Sequence, residues 1–457
     1  MVGSPKPSLD TTFWGDAAMF MEPGRLQTVV HSADLKTEQP AVLEFLIKYL
    51  RDFSTPKAPS QWAFRASRRS SACVAEPEGR LDILCRAEVS GCPVWDTAFA
   101  NCRKDHRYYE LLEDTVCPEF KYRYFAIRDR TGEIRAIQPF FILDQDLLMG
   151  TCSRPDAFTG ALRTIWPRFM VLRTLMVGCA AGEGHLDEGD GPAHSGHIEL
   201  LAKEIISQAR RENAGLVVLK EFPVRYRTAL SCFLSQGFTR VPSLPMTRLN
   251  INYASFDEYM TKALKSATRA KLRKKFRAAE QAAPITMEVV ADVSAFVGEL
   301  YPLYLQVYNR SNLHFEKLTK TYFVELGQRM PDKVRFFIWR QNAKIVAFTM
   351  CMTEADAIYA EYIGLDYSVA LDLHLYHYAV RDMIKWAIAN GFKWFRSGGL
   401  NYDPKLQMRH LLDPIDLYVR HSSPVLNVIL KHALPFLEPT RRHKTLQKFT
   451  NYEDLWA

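Results

Sequence analysis

Long uncharged apolar runs are missing from this chain of 457 residues. A membrane-spanning helix needs about 18 to 20 such residues in a row. The nearest approach, ALRTIWPRFMVLRTLMVG, is interrupted by Arg163, Arg168 and Arg173; PVLNVILKHALPFL is shorter and carries Lys431 and His432. No transmembrane segment is therefore expected. Cysteine is sparse: nine residues, an odd number, with no C-x-x-C pair. That pattern fits neither a disulfide framework nor a zinc ribbon and suits a reducing compartment. The opening MVGSPKPSLDTTFWGD lacks the charged-then-apolar layout of a secretion signal, so the expected location is cytoplasmic. No helix-turn-helix or RNA-binding signature is visible, which argues against a sequence-specific nucleic-acid reader. No Ser-His-Asp set is legible either.

Hydrophobic residues make up 47% of the chain, the share of a globular protein, and the length calls for two or three domains. The formal charge of +8 favours an anionic ligand or surface.

One pattern occurs twice. IELLAKEIISQARREN runs into AGLVVLKE, ending at Glu221, and LHLYHYAVRDMIKWAIAN runs into GFKWFRSGG, ending at Gly399. Each is an amphipathic helix, an Asn with a small residue as C-cap signal, and an apolar strand that follows at once. Two such units imply a duplicated α/β domain with a cleft between the halves.

Residues 1–93 form an N-terminal region with one helical candidate at 41–53 and a Ser/Pro/Ala/Arg-rich, linker-like stretch after it. A first α/β unit is expected over 94–255, with a hairpin around Thr131-Gly132. Residues 256–283 are expected to form one basic connecting helix, opened by Asp257 and Glu258 and ended by Pro284. A second unit over 284–440 reads as strand, helices broken near Pro302, a three-stranded meander, helix and strand. Residues 441–457 remain as a tail.

That element order resembles the GNAT acyltransferase fold. Two such units joined by a basic helical segment resemble the Fem-type group of peptidoglycan-bridge aminoacyltransferases and their bacterial relatives. Three passages carry the resemblance: FDEYMTKALKSATRAKLRKKFRAAE, AFTMCMTEADAIYAEYIGLDYS and FRSGGLNYDPKLQMRHLLDP. The resemblance implies an α/β fold of two tandem GNAT-like units, each a mixed, mainly antiparallel sheet with flanking helices. It also implies acyl or aminoacyl transfer to an amine of a small or cell-envelope-precursor substrate. One departure stands out. Acetyl-CoA-binding members of the fold cradle the pyrophosphate on a glycine-rich turn before the central helix. Here that stretch is DYSVALDLHLYHY, Asp366 to Tyr378, without a glycine. The donor is left open between acyl-CoA and aminoacyl-tRNA, and no metal is expected.

Candidate site residues follow from local chemistry. Gly398 and Gly399 at a strand end allow backbone to approach a ligand. Asp403 is a candidate N-cap with Pro404 next, in a short helix presenting Lys405 and Arg409 on one face. Asn401 and Tyr402 lie within the same turn. In the meander, Tyr359 and Glu361 share one face of a strand. Glu361 and Lys405 are the catalytic candidates: Glu361 as a base toward the attacking amine, Lys405 stabilising developing negative charge. Tyr359, Gly398, Gly399, Asn401, Tyr402 and Arg409 are donor- or substrate-binding candidates. Residues 262–277 hold eight Lys and Arg, a density suited to tRNA or another polyanion. The loop GEGHLDEGDGPAHSGH offers His185, Asp187, Glu188, Asp190, His194 and His197, readable as a metal loop, a cleft loop or a plain surface loop. His374 and His377 read as a polar helix face. A non-catalytic protein recognising a polyanion or a polysaccharide-assembly partner is the alternative to an enzyme.

Overall fold

The computed structural model describes residues 79–146, 171–187, 194–311 and 315–457. The helical candidate at 41–53 and the linker-like stretch after it lie outside the described residues. In chain order the strands are β1 (Arg80–Leu84), β2 (Lys121–Arg128), β3 (Ile134–Asp146), β4 (Val171–Val177), β5 (Leu216–Pro223), β6 (Thr239–Pro242), β7 (Met246–Asn250), β8 (Ile285–Val290), β9 (Val334–Gln341), β10 (Lys344–Glu354), β11 (Ala357–Leu365), β12 (Trp394–Ser397), β13 (Leu411–Asp413) and β14 (Ile415–His421). The helices are α1 (Arg86–Val89), α2 (Pro93–Asp96), α3 (His106–Thr115), α4 (His194–Arg211), α5 (Ser231–Ser235), α6 (Phe256–Ala263), α7 (Ser266–Glu280), α8 (Val297–Arg310), α9 (Lys320–Arg329), α10 (Leu375–Ala389), α11 (Tyr402–Gln407) and α12 (Pro424–Leu437).

The repeated pattern folds the same way twice. After α4 the chain turns through Asn213 at φ 55°, and after α10 through Gly391 at φ 81°. In both turns an amide reaches five residues back, Ala214 to the Ala209 carbonyl and Phe392 to that of Ala387. This closes the last helical turn in the Schellman manner. The strand that follows pairs parallel with the strand before the helix: β5 with β4 from Thr174↔Leu216 to Val177↔Leu219, and β12 with β11 from Ala357↔Trp394 to Ala360↔Ser397. Every other strand pairing described is antiparallel. The result is two mixed, mainly antiparallel seven-stranded sheets, ordered β1-β2-β3-β4-β5-β14-β6 and β13-β7-β12-β11-β10-β9-β8.

The two halves exchange strands. β14, late in the chain, sits between β5 and β6, and β7, from the earlier half, sits between β12 and β13. A hydrophobic core also runs through both halves, joining Trp95, Tyr108 and Leu111 to Tyr322, Phe336 and Phe348. Tyr108 and Tyr322 share a buried hydroxyl contact of 2.9 Å, and Arg329 binds Asp114 at 2.6 Å.

Two local expectations need correction. The basic segment is two helices, because Leu264 is buried in an extended conformation between α6 and α7. Arg269 Nη1 donates to its carbonyl at 2.6 Å, filling the acceptor the break exposes. Conversely, α8 runs through Pro302 without a break. Both Pro302 and Gly298, whose carbonyl loses its helical donor, are exposed, so water can solvate that carbonyl.

Asp416 on β14 is buried and takes two bonds from Arg227, at 2.6 and 3.1 Å, while Arg227 also reaches the carbonyls of Asp454 and Leu455. Replacing Asp416 with Ala removes two charge-assisted bonds and leaves that guanidinium only its acceptors at Asp454, Leu455 and Ala457, and is expected to cost about 2–3 kcal/mol. Urea unfolding checks this, and the exchanged strands predict one transition for both sheets.

Candidate functional site

Each parallel pair stops pairing before its strands end. β11 continues from Glu361 to Leu365 after its last partner, Ser397, and β5 continues from Lys220 to Pro223 after its partner Val177. Ligands of α/β sheets settle where parallel strands end and diverge. The loop Gly178–Asp187, which leaves β4, runs between these two points.

At the β11 side the loop meets the segment before α3. Arg103 and Lys104 are fully buried there, 1% and 0% exposed. Arg103 Nε donates to Glu361 Oε1 at 2.7 Å, its Nη2 contacts Glu183, its backbone N–H donates to Glu354 at 2.8 Å, and its guanidinium lies 3.6 Å from the centre of the Tyr359 ring. Lys104 Nζ donates to Glu183 at 2.7 Å and lies 3.8 Å from Glu361. Two buried cations thus face two buried carboxylates. Burial alone raises the Glu183 pKa, but Arg103, Lys104 and the His185 ring outweigh it and hold the carboxyl well below its usual range. His185 sits 3.2 Å from Glu183 and 3.1 Å from Arg225; burial lowers its pKa. Gly182, at φ 86°, passes so close that a Cβ would lie 2.1 Å from Lys104 Nζ, and only glycine fits.

At the β5 side Lys220 Nζ donates to the Gly182 carbonyl and to Glu221, both at 2.8 Å. Glu221 adopts φ 56° inside a strand and accepts from Ser243 at 3.0 Å. Nearby, Tyr362 donates to Glu316 at 2.6 Å, and burial raises the Glu316 carboxyl pKa.

The turn after β12 holds the third group. Leu400 and Asn401 both take left-handed conformations, φ 69° and 47°. A Cβ on Gly398 would meet open space. Lys405 is buried, and its Nζ donates to the carbonyls of Gly398 at 2.5 Å and Leu400 at 2.9 Å. No carboxylate offsets its burial, which pushes its pKa down to about 7. His410 lies alongside, its Nδ1 3.2 Å from the Thr247 hydroxyl, itself 2.9 Å from Ser397. Its Nε2 is buried without a hydrogen-bond partner, and burial takes the ring pKa down to about 3, with Lys405 adding repulsion. Thr247 reaches this position because the exchanged β7 pairs with β12.

The sequence candidates therefore fall into distinct environments. Glu361 and Tyr359 meet at Arg103, and burial pushes Tyr359 up to about 12. Tyr402 is buried, donating to the Pro245 carbonyl at 2.8 Å, and the Gly399 backbone packs beside it. The expected shared face of Lys405 and Arg409 does not form: α11 ends at Gln407, and Arg409 is exposed at φ 65°. The cap is also displaced, to Asn401 rather than Asp403, whose carboxylate instead accepts from Thr445 at 3.3 Å. Asn401 itself is exposed.

Residues 183–187 are no surface loop. Glu183, His185, Leu186 and Asp187 are buried, and Asp187 accepts the Ile137 N–H at 2.9 Å. Glu188 and Asp190 lie outside the described residues. His377 is not on a free polar face either: it bonds Lys275 at 2.8 Å, and burial takes its pKa to about 3. Sequence reasoning missed Arg103, Lys104, Glu183, Lys220 and Glu316. The available signal was Arg103-Lys104 set directly before the helix cap Asp105, inside an aromatic-rich segment.

In the turn before α10, the position of the missing glycine loop, the amides are largely spent. Val369 and Ala370 donate to the Asp366 carbonyl, Ser368 to the Asp366 side chain, and Tyr367 to Gln306. On α6, α7 and the link between them, Lys262, Lys265, Lys271, Arg273, Lys274 and Arg277 are exposed.

Two mixed sheets, each carrying one parallel pair bridged by a long helix, define the tandem GNAT-like class. The chain is similar to the Fem-type group: residues 193–407 match the FemAB-like family, described as peptidoglycan biosynthesis/recognition. Similar solved structures include FemX (12% identity, 68% of this chain and 90% of that one, TM-score 0.43). They also include L-PGS from Bacillus licheniformis (12%, 72% and 96%, TM-score 0.42), and a tandem GNAT protein from the clavulanic acid biosynthesis pathway (9%, 76% and 99%, TM-score 0.40). No curated protein gives a significant match.

Two outcomes test this site. Arg103→Met leaves Lys104 as the one buried cation facing both Glu183 and Glu361 and is expected to cost about 3–5 kcal/mol in chemical denaturation. Lys405 has a folded pKa of about 7 against an ordinary 10.5. The unfolded chain therefore binds more protons between these values, and stability rises with pH across that window. Lys405→Met should raise the melting temperature, most of all below pH 7, and flatten that rise.

Proposed function

We propose that this chain is an acyltransferase that moves an acyl or aminoacyl group to an amine, working where β11 and β12 part. One observation carries the reading. A buried lysine, Lys405, lies under the Gly398–Leu400 turn, donating to two backbone carbonyls and, among the described residues, to no carboxylate, and burial holds its pKa near 7. Aminolysis of an acyl ester or thioester forms a C–N bond through an oxyanion, breaks the C–O or C–S bond to the donor, and releases a proton from the attacking amine that the departing alcohol or thiol finally takes up. A neutral Lys405 amine accepts that proton at physiological pH. The open space over Gly398 lets an acyl carbonyl approach the backbone. Of the two catalytic candidates, Lys405 suits proton transfer better than Glu361. The Glu361 carboxylate is committed to Arg103 and Lys104, and its role is to fix Arg103 against Tyr359.

The donor is taken to be polyanionic, bound by the exposed cations of residues 262–277, as an aminoacyl-tRNA would be. The occupied amides before α10 favour this over a pyrophosphate held in that turn. The acceptor is an amine of a small or envelope-precursor molecule, in line with the description of the matching family. A non-catalytic binding protein is the second reading, favoured by the same crowded turn.

Turnover with aminoacyl-tRNA and acyl-CoA donors tests the proposal. Lys405→Met should lower kcat by about 100-fold or more, and Lys405→Arg should not rescue it, since arginine stays charged. For the native chain kcat/KM should rise with pH and level off above about 7. Unchanged turnover in Lys405→Met would remove the assignment; tight donor binding without turnover would favour the second reading. Lys271→Glu with Lys274→Glu should weaken tRNA binding and flatten its salt dependence.

A further inference from the structure

Helix α12, PVLNVILKHALPFL, is anchored by one side only. Asn427 accepts the His421 N–H and donates to the Gly237 carbonyl, both at 2.9 Å. Leu430 and Leu434 pack on the shared core. The opposite side carries Val425, Val428 and Ile429, flanked by Leu426 and Leu437, exposed by 36 to 72%. These are five of the eight large hydrophobic residues exposed among the described residues. Scattered exposed leucines need no explanation, but a concentration on one helix face does.

The surroundings of that face are cationic. From Ser422 to Thr450 the chain carries Lys431, Arg441, Arg442, Lys444 and Lys448, against a single acid, Glu438. Glu438 is buried and paired with Arg441 at 3.2 Å. At the other end of the helix Arg210 donates to the Ser422 carbonyl at 3.0 Å, and its charge lies close enough to Arg420 to lower that residue's pKa, after burial. An apolar helix face bordered by cations at both ends matches a bilayer interface with anionic headgroups. A second copy of this chain fits less well, since a two-fold contact would bring the same cations together. With 14 residues, α12 is about 21 Å long; no described helix is long and apolar enough to cross a membrane.

The geometry points to α12 as an interfacial helix that lays Val425, Val428 and Ile429 into the surface of an anionic membrane. The apolar face enters the headgroup boundary, and Lys431, Arg442 and the neighbouring cations meet lipid phosphates. Docking itself does not depend on catalysis.

Flotation of the full chain with vesicles tests it, using equal parts phosphatidylglycerol and phosphatidylcholine, and phosphatidylcholine alone. The native chain should float with the anionic vesicles at least about tenfold more than with neutral ones, less so at high salt. Val428→Asp with Ile429→Asp should abolish flotation while leaving circular dichroism and melting unchanged. Lys431→Glu with Arg442→Glu should weaken flotation and its salt response. Absence of anionic-vesicle binding by the native chain overturns the proposal, as does undiminished binding by the Val428/Ile429 variant. A concentration-dependent dimer in light scattering that the same variant dissolves, without vesicle binding, would assign the face to a second copy instead.

Discussion

A buried guanidinium constrains much of the rest. Arg103 is almost fully shielded from water, and a charge in that position is tolerable only if carboxylates and hydrogen bonds surround it. Its neutralising groups come from far along the chain: Glu183 from the loop after β4, Glu354 from the end of β10 and Glu361 from β11. Satisfying one side chain therefore fixes a loop of the first sheet against strands of the second. Lys104 repeats the demand one residue later, and Gly182 is the space that its ammonium requires.

The strand exchange enforces the same geometry by other means. β14 fills the first sheet beside β5 and β7 fills the second beside β12, so neither sheet is complete from one continuous half of the chain. The exchange also has a local consequence. It brings Thr247 to Ser397 and His410, next to Lys405. The candidate catalytic lysine is thus buried with no carboxylate among the described residues to offset the loss of water, and burial is what disfavours its charge.

Much of the fold could be read from residue order. The two helix-to-strand turns, the hairpin around Thr131-Gly132 and the meander from Val334 to Leu365 are local features, set by periodicity and by the residues that tolerate positive φ. The single basic helix was not legible in detail, because Leu264 breaks it by being buried against a distant surface. The turn at Gly398 was identified from its glycines, but its geometry was not: Arg409 and Lys405 part because α11 is only six residues long. Of the buried quartet only Glu361 was picked out, since Arg103-Lys104, Glu183 and Glu361 come from three distant stretches of chain and none belongs to a spaced motif.

Local residue order carries the class of structure: two repeated α/β units, their order, the absence of a glycine cradle before α10 and the presence of a basic segment between halves. These depend on local propensity and spacing, which each stretch of chain carries alone. Folding sets which charged residues are buried together, that Lys405 has no carboxylate partner among the described residues, and that α12 keeps an apolar face outward. Burial and charge neutralisation are properties of what lies across the fold, and those neighbours are set by packing and strand exchange rather than by adjacency in the chain.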